Sequence, residues 1–271
     1  GNKFTEKKNT YQLKDIHTGL NLDDIIKQKD DGEAFPALVK TEKLFYEGQP
    51  VAGKSTSTTF NFDKLGNVTS LTDLGDPGPD DDISTAISYH VGGDKYIMDI
   101  PSSVTVSASG KVYRQRGSTI DGNGNTIQAQ LYLEPAKIAK FDMTYDGFGN
   151  MTSLKRPENA TDQRLKFTYL YDDQVQTYVT AISDDYGYSS SATYDFSFGQ
   201  VLSATDMNGQ QTQYTFDKAG RILTIRGPLE IATNRPFTIS FEYHPEAAVP
   251  WALAKHFDPA RPSNFLEFVS F

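Results

Sequence analysis

Apolar and polar residues alternate along this chain in short stretches, and several of those stretches end on an aromatic residue followed by aspartate. Phe60-Asn61-Phe62-Asp63-Lys64-Leu65-Gly66-Asn67 leads into Val68-Thr69-Ser70-Leu71. The order returns in Met143-Thr144-Tyr145-Asp146-Gly147-Phe148-Gly149-Asn150, which leads into Met151-Thr152-Ser153-Leu154. It returns again in Tyr214-Thr215-Phe216-Asp217-Lys218-Ala219-Gly220-Arg221, before Ile222 to Ile225. Alternation of period two puts Phe60 with Phe62, and Tyr214 with Phe216, on one face of a strand. The aspartate can hydrogen-bond its own backbone two residues on, and the glycine takes positive φ without penalty. Each copy therefore predicts a β-hairpin with a connection of about four or five residues.

Three weaker copies extend the series. Tyr194-Asp195-Phe196-Ser197-Phe198-Gly199 carries one extra residue before its glycine. Ile120-Asp121-Gly122-Asn123-Gly124-Asn125 keeps the turn, and Tyr171-Asp172 keeps the strand but loses the glycine. The anchoring aspartates at 63, 121, 146, 172, 195 and 217 are separated by 58, 25, 26, 23 and 22 residues. Such spacing marks one supersecondary unit reused, and a lone hairpin cannot bury its aromatic face without neighbours. The expected fold class is all-β.

Around the repeats, residues 1–56 read as a charged lead-in with the first strands. Residues 57–227 form the repeat region, with an insertion at 74–116, and residues 228–271 lead to a further repeat. Leu20, Leu22, Ile25 and Ile26 fit one short helix, although Asp23 and Asp24 equally suit a solvated turn. Ser103–Ser107 and Phe237–Tyr243 read as strands, 74–82 as a loop, and Ala252–His256 as a short helix.

The Tyr/Phe-x-Phe/Tyr-Asp-x-x-Gly-Asn/Arg unit resembles the YD repeat of the Rhs (rearrangement hot spot) proteins. It is most similar to the toxin-complex B-type and bacterial secreted members. The likeness is firmest from Phe141 to Gly227 and includes the turn Thr205-Asp206-Met207-Asn208-Gly209. It implies tandem hairpins forming a curved, mostly antiparallel sheet strip, part of a shell that in toxin members encloses a C-terminal effector. Its turn residues here are Asp63, Gly66, Asn67, Asp121, Gly124, Asp146, Gly149, Asn150, Asp195, Gly199, Asp217 and Gly220. The function implied is a non-catalytic structural fragment of a large secreted or surface bacterial protein, with the rest of that polypeptide as partner. The alternative is an extracellular module that contacts carbohydrate or a host surface through exposed Tyr145, Tyr194 and Tyr214. The family's self-cleaving segment is not found, and Gly1 in place of Met reads as the mark of an excised fragment. Open strand edges left by excision invite self-association.

Composition narrows the classes. The 271 residues hold 26 basic and 35 acidic side chains, a formal net charge of −9, which argues against a nucleic-acid partner. With no cysteine, disulfides, thiolate-bound zinc and cysteine nucleophiles are excluded. Apolar runs are far too short for a membrane-spanning helix.

Candidate chemistry is thin. Gly48-Gln49-Pro50-Val51-Ala52-Gly53-Lys54-Ser55 matches the P-loop pattern literally, but strand-forming Ser55–Phe60 follows where a helix is required. Asp121-Gly122-Asn123-Gly124-Asn125 opens like an EF-hand loop. Thr126, however, replaces the required glycine, and Tyr132 stands where a bidentate carboxylate belongs. Asp80, Asp81 and Asp82 suit solvation. His17, His90, His244 and His256 lack ligand spacing, so no metal or cofactor is expected. The sequons at Asn67 and Asn150 coincide with the repeat turn, and a hydrolase reading would need a concave pair of carboxylates that no motif marks.

Overall fold

The computed structural model describes residues 3–22, 33–76, 78, 81–92, 95–134, 137–258, 260 and 265–271. The chain divides into two units, 1–142 and 143–271. The first holds β1 (Thr5–Asp15), β2 (Ala34–Phe45), β3 (Lys54–Phe62), β4 (Val68–Leu74), β5 (Ile83–Tyr89), β6 (Pro101–Ala108), β7 (Lys111–Ile120), β8 (Thr126–Glu134) and most of β9 (Lys137–Tyr145). Each of these strands pairs antiparallel with the next in sequence.

The second unit follows the same plan. It contains the end of β9, then β10 (Met151–Lys155), β11 (Lys166–Tyr171), β12 (Val179–Asp184), β13 (Ser189–Asp195), β14 (Gln200–Thr205), β15 (Gln211–Phe216) and β16 (Ile222–Arg226). A short helix, α1 (Pro228–Ala232), precedes β17 (Ile239–His244), β18 (Trp251–Phe257) and β19 (Phe265–Ser270). Successive strands again pair antiparallel. Since a meander turns back at every strand, alternate connections share an edge. Asp63 and Asp121 therefore lie at one edge of the first unit, and Asp146, Asp172, Asp195 and Asp217 at one edge of the second.

The long interval between Asp63 and Asp121 is filled by ordinary meander strands, β5 to β7. Where another repeat turn would fall, Tyr89-His90 stands in place of Tyr-Asp, and His90 N–H closes the connection on Ile100 O at 2.9 Å. Ile25 and Ile26 lie outside the described residues. Leu22 is buried, and its N–H donates to Leu13 O at 2.8 Å.

One expected element is corrected. Ala252–His256 is not a helix but the middle of β18, hydrogen-bonded to β17 on one side and β19 on the other. Alanine's helix preference is worth only tenths of a kcal/mol per residue, about as much as a single neighbouring contact, so pairing on both sides overrides it. The short helix of this region is α1, which begins on Pro228 as helices with a first-turn proline do.

The core is thin. Among the described residues only Leu22 and Ala37 are buried hydrophobics, and no large side chain is fully enclosed. The aromatic side chains are mostly half-buried, and among the described residues it is neighbouring strands that cover them.

Candidate functional site

The edge that carries the aspartates is the most elaborated feature of each unit. At Asp63 the backbone N–H donates to Asn67 O at 2.9 Å, and Gly66 N–H donates back to Asp63 O at 3.2 Å. The carboxylate then takes Leu65 N–H and Asn67 N–H on Oδ1, both at 2.9 Å, and Asn67 Nδ2 on Oδ2 at 3.0 Å. Asp121 and Asp146 repeat this set of bonds with Asn125 and Asn150. Asp217 repeats it with Arg221 in place of asparagine, whose Nε reaches Oδ2 at 2.7 Å. The glycine is required because φ is +86° at Gly66, +90° at Gly124, +87° at Gly149 and +79° at Gly220. At Asp121 and Asp217 these donors hold the carboxyl below the usual range: chiefly the Asn125 amide at Asp121, and the Arg221 backbone N–H at Asp217.

Beyond the turns at Asp63, Asp121, Asp172, Asp195 and Asp217 the departing strand carries one extra residue. It is Thr69, Ile127, Thr180, Leu202 and Leu223 in turn, and the register shifts opposite the residue just before the aromatic or its substitute. A bulge of this kind disrupts the ladder locally and leaves backbone groups to be satisfied elsewhere. At the Thr69, Thr180 and Leu223 bulges, and just beyond the Asp146 turn, the next hairpin supplies a donor. Tyr89 Oη donates to Val68 O, Tyr194 Oη to Val179 O and Tyr243 Oη to Ile222 O, all at 2.9 Å, and Tyr171 Oη to Met151 O at 3.0 Å. Each acceptor is the first residue of the strand that leaves the preceding turn. The aspartate thus shapes its own turn, while the tyrosine at the end of the arriving strand, before Asp172, Asp195, His90 or His244, pins the turn of the hairpin before.

Neighbouring turns are also tied directly. Asn67 Nδ2 donates to Met98 O at 2.8 Å, Asn150 Nδ2 to Gln176 O at 2.6 Å, and Gln200 Nε2 to Gly220 O. Those bonds explain why asparagine is useful after the glycine. The Tyr171→Phe variant should lose about 1 kcal/mol of stability in urea unfolding, since it strips one hydroxyl and leaves Met151 O unpaired. Tyr186→Phe, at an exposed ring, should be neutral.

Asp172 solves the missing glycine differently. Its carboxylate accepts five backbone N–H groups, from Gln174, Val175, Gln176, Thr177 and Tyr178. Gln176 takes the positive φ, +54°. Desolvation pushes this carboxyl up, but the donors outweigh it and hold the group far below the usual carboxylate range. At Asp195 the chain instead makes a four-residue turn, with Asp195 paired to Gln200 and Gly199 at φ +68°.

Three turns on the opposite edge use the same bonding. Asp206 closes on Gln210, as its Asp-Met-Asn-Gly sequence foretold. Asp184-Asp185-Tyr186-Gly187 and Asn159-Ala160-Thr161-Asp162 were not anticipated. The first has the Asp-x-x-Gly spacing but no aromatic before it; the second uses asparagine as anchor and Asp162 at φ +58°.

Tyr145, Tyr194 and Tyr214 are all half-buried. The Tyr194 ring stacks on Tyr178 at 4.9 Å between centroids while its hydroxyl is spent on Val179. Gly48–Ser55 joins β2 to β3, and Lys54 begins β3 and pairs with Asp76 at 2.7 Å. Asn67 and Asn150 commit their amide nitrogens within the turns. Ser118 lies 3.1 Å from His90 Nε2, but that nitrogen is equally close to Ser118 O, a pure acceptor, and therefore carries the proton. The Ser118 hydroxyl itself donates to Pro101 O at 2.5 Å. The pair is a hydrogen-bonded strut with no base facing the serine. Among the described residues no three His, Asp or Glu side chains gather as a metal site.

Turn, bulge and tyrosine together define an antiparallel repeat sheet of the tyrosine–aspartate type. Residues 194–229, which include the Asp195 and Asp217 turns, match the RHS repeat family. No curated protein matches the sequence. Among solved structures, the crystal structure of TcdB2-TccC3 superposes with a TM-score of 0.72 at 13% identity, covering 99% of this chain and 19% of that one. TcdB2-TccC3-Cdc42 gives 0.66 at 13% identity, over 90% of this chain and 17% of that one. The form without the hypervariable C-terminal region gives 0.65, with the same identity and coverage. The chain thus carries an RHS repeat and has the fold of an internal stretch of these toxin-complex proteins, spanning about a fifth of their length.

Proposed function

We propose that this chain is a structural, non-catalytic wall segment of a larger Rhs-type polypeptide, secreted or displayed at a bacterial surface, with the remainder of that polypeptide as its principal partner. The observation that carries the reading is the strand-to-strand sheet of each unit: its edge is knitted hairpin to hairpin, while among the described residues no second layer covers its half-buried aromatic face. Side chains that another protein would commit to catalysis are here spent on turns, on bulge carbonyls and on links between successive turns. A curved strip that encloses an effector is the arrangement this proposal expects. Electron cryomicroscopy of the full-length polypeptide tests it. Residues 3–271 should run as consecutive strands in the wall of a hollow body. A separately folded globular domain, closed by its own second layer, would overturn the proposal. A glycan array probed with the isolated chain should be blank, because the hydroxyl of Tyr194 is already committed within the sheet; sugar binding abolished by mutating Tyr145 or Tyr214 would favour a binding module instead.

A further inference from the structure

The chain contains two Asn-Gly pairs, Asn123-Gly124 and Asn208-Gly209, at the same position of the same turn. Asn-Gly is the dipeptide most prone to spontaneous deamidation, because glycine leaves the attacking backbone nitrogen unhindered. That nitrogen, once deprotonated, attacks the asparagine Cγ, ammonia leaves, and a five-membered succinimide forms. Water then opens the ring at either carbonyl, giving aspartate or isoaspartate, so one amide and one water become one carboxylate and one ammonium, the departing ammonia taking up the proton that the new acid releases.

The two turns share their backbone bonds. Gly124 N–H donates to Asp121 O at 3.1 Å and Gly209 N–H to Asp206 O at 3.0 Å. What differs is the surroundings. Asn123 Oδ1 is held by Lys95 Nζ from the neighbouring connection, and the Gly124 Cα faces Ile97 and Ile100 side chains 3.3 to 3.6 Å from where a Cβ would stand. Asn208 is exposed, as Asn123 is, but its amide nitrogen is held only by a 3.4 Å contact to Asp206 Oδ2, and nothing lies within 4 Å of where a Gly209 Cβ would stand. The side chain must swing over the following nitrogen and the turn must give for the ring to close. Asn208 can do both, whereas Asn123 is tethered and backed.

We infer that Asn208 is a site of spontaneous deamidation and that the folded chain shields Asn123. The product adds a negative charge two residues from Asp206, and in its isoaspartyl form one extra backbone carbon between β14 and β15. It therefore loosens the pairing of Thr205 with Gln211.

The test is peptide mapping by mass spectrometry after incubating the intact chain in mildly alkaline buffer, with an isoaspartyl methyltransferase assay to score the product. Conversion at Asn208 should be about tenfold faster than at Asn123, a difference near 1.4 kcal/mol in barrier. The Lys95→Ala variant should speed Asn123 and leave Asn208 unchanged, and in denaturant the two rates should converge. Equal rates in the folded chain, a faster Asn123, or no conversion at Asn208 would each overturn the inference.

Discussion

Replacing Asp172 with alanine should lower the thermal midpoint of the second unit by about 5 °C or more. One carboxylate there takes five backbone N–H groups, and the residue is only 5% exposed, so water cannot replace it at all five. The loop lacks a glycine and holds Gln176 at positive φ, so the carboxylate is what keeps that conformation populated. Asp172→Asn should fall between wild type and alanine, because one side-chain oxygen remains while the amide nitrogen brings donors towards donors. The pH dependence follows from the direction of the shift. The folded carboxyl titrates below the unfolded one, whose value is about 3.9, so the folded state holds fewer protons than the unfolded state in that interval. The stabilisation is complete above the unfolded value and is lost as pH falls towards the folded one. Thermal unfolding followed by circular dichroism should therefore show the gap between wild type and Asp172→Ala narrowing in acid. A gap independent of pH would mean that loop packing, rather than charge, sets the cost.

Gly199→Ala should cost about 2–3 kcal/mol in urea unfolding, most of it beyond backbone strain. At φ +68° a new Cβ would sit 2.5 Å from Tyr178 Oη and 3.2 Å from Cζ. Tyr178 has little freedom to retreat, since its ring stacks on Tyr194 at 4.9 Å and lies 5.7 Å from Phe196. Moving it disturbs the hydroxyl that Tyr194 places on Val179. Gly209→Ala separates the two contributions. Its φ of +76° is similar but its surroundings are open, so it should lose only about 1 kcal/mol. Equal losses at both positions would show that Tyr178 yields freely.

Much of this architecture is legible in the residues, and the boundary of legibility has physical causes. Asp63, Asp121, Asp146 and Asp217 announce their turns because a carboxylate and a positive-φ glycine three residues apart suit little else. The bulges at Thr69, Thr180 and Leu223 leave no such trace, since an extra residue in a strand looks like any other until its partner is known. The tyrosine hydroxyls are hidden for a related reason. Tyr171 and Phe216 occupy the same place in the pattern and bury similar rings, yet only one can donate to a carbonyl. His90 and His244 are hidden too, because each follows tyrosine at an anchor position without the carboxylate that identifies it. At 252–256 local preference pointed to a helix, and pairing with two flanking strands prevailed.

The hydroxyl bonds have a consequence for how the chain acquires its structure. Each of the four tyrosines reaches a carbonyl only 15 to 21 residues behind it. Such contacts cost little loop entropy and favour rapid assembly. They also point backwards, so a hairpin is secured only when the following one has formed. A chain synthesised from its N-terminus would meet these conditions in order, each new tyrosine locking the segment before it. Unfolding should then begin at strands whose successor is missing or weakened and advance from there, one hairpin at a time.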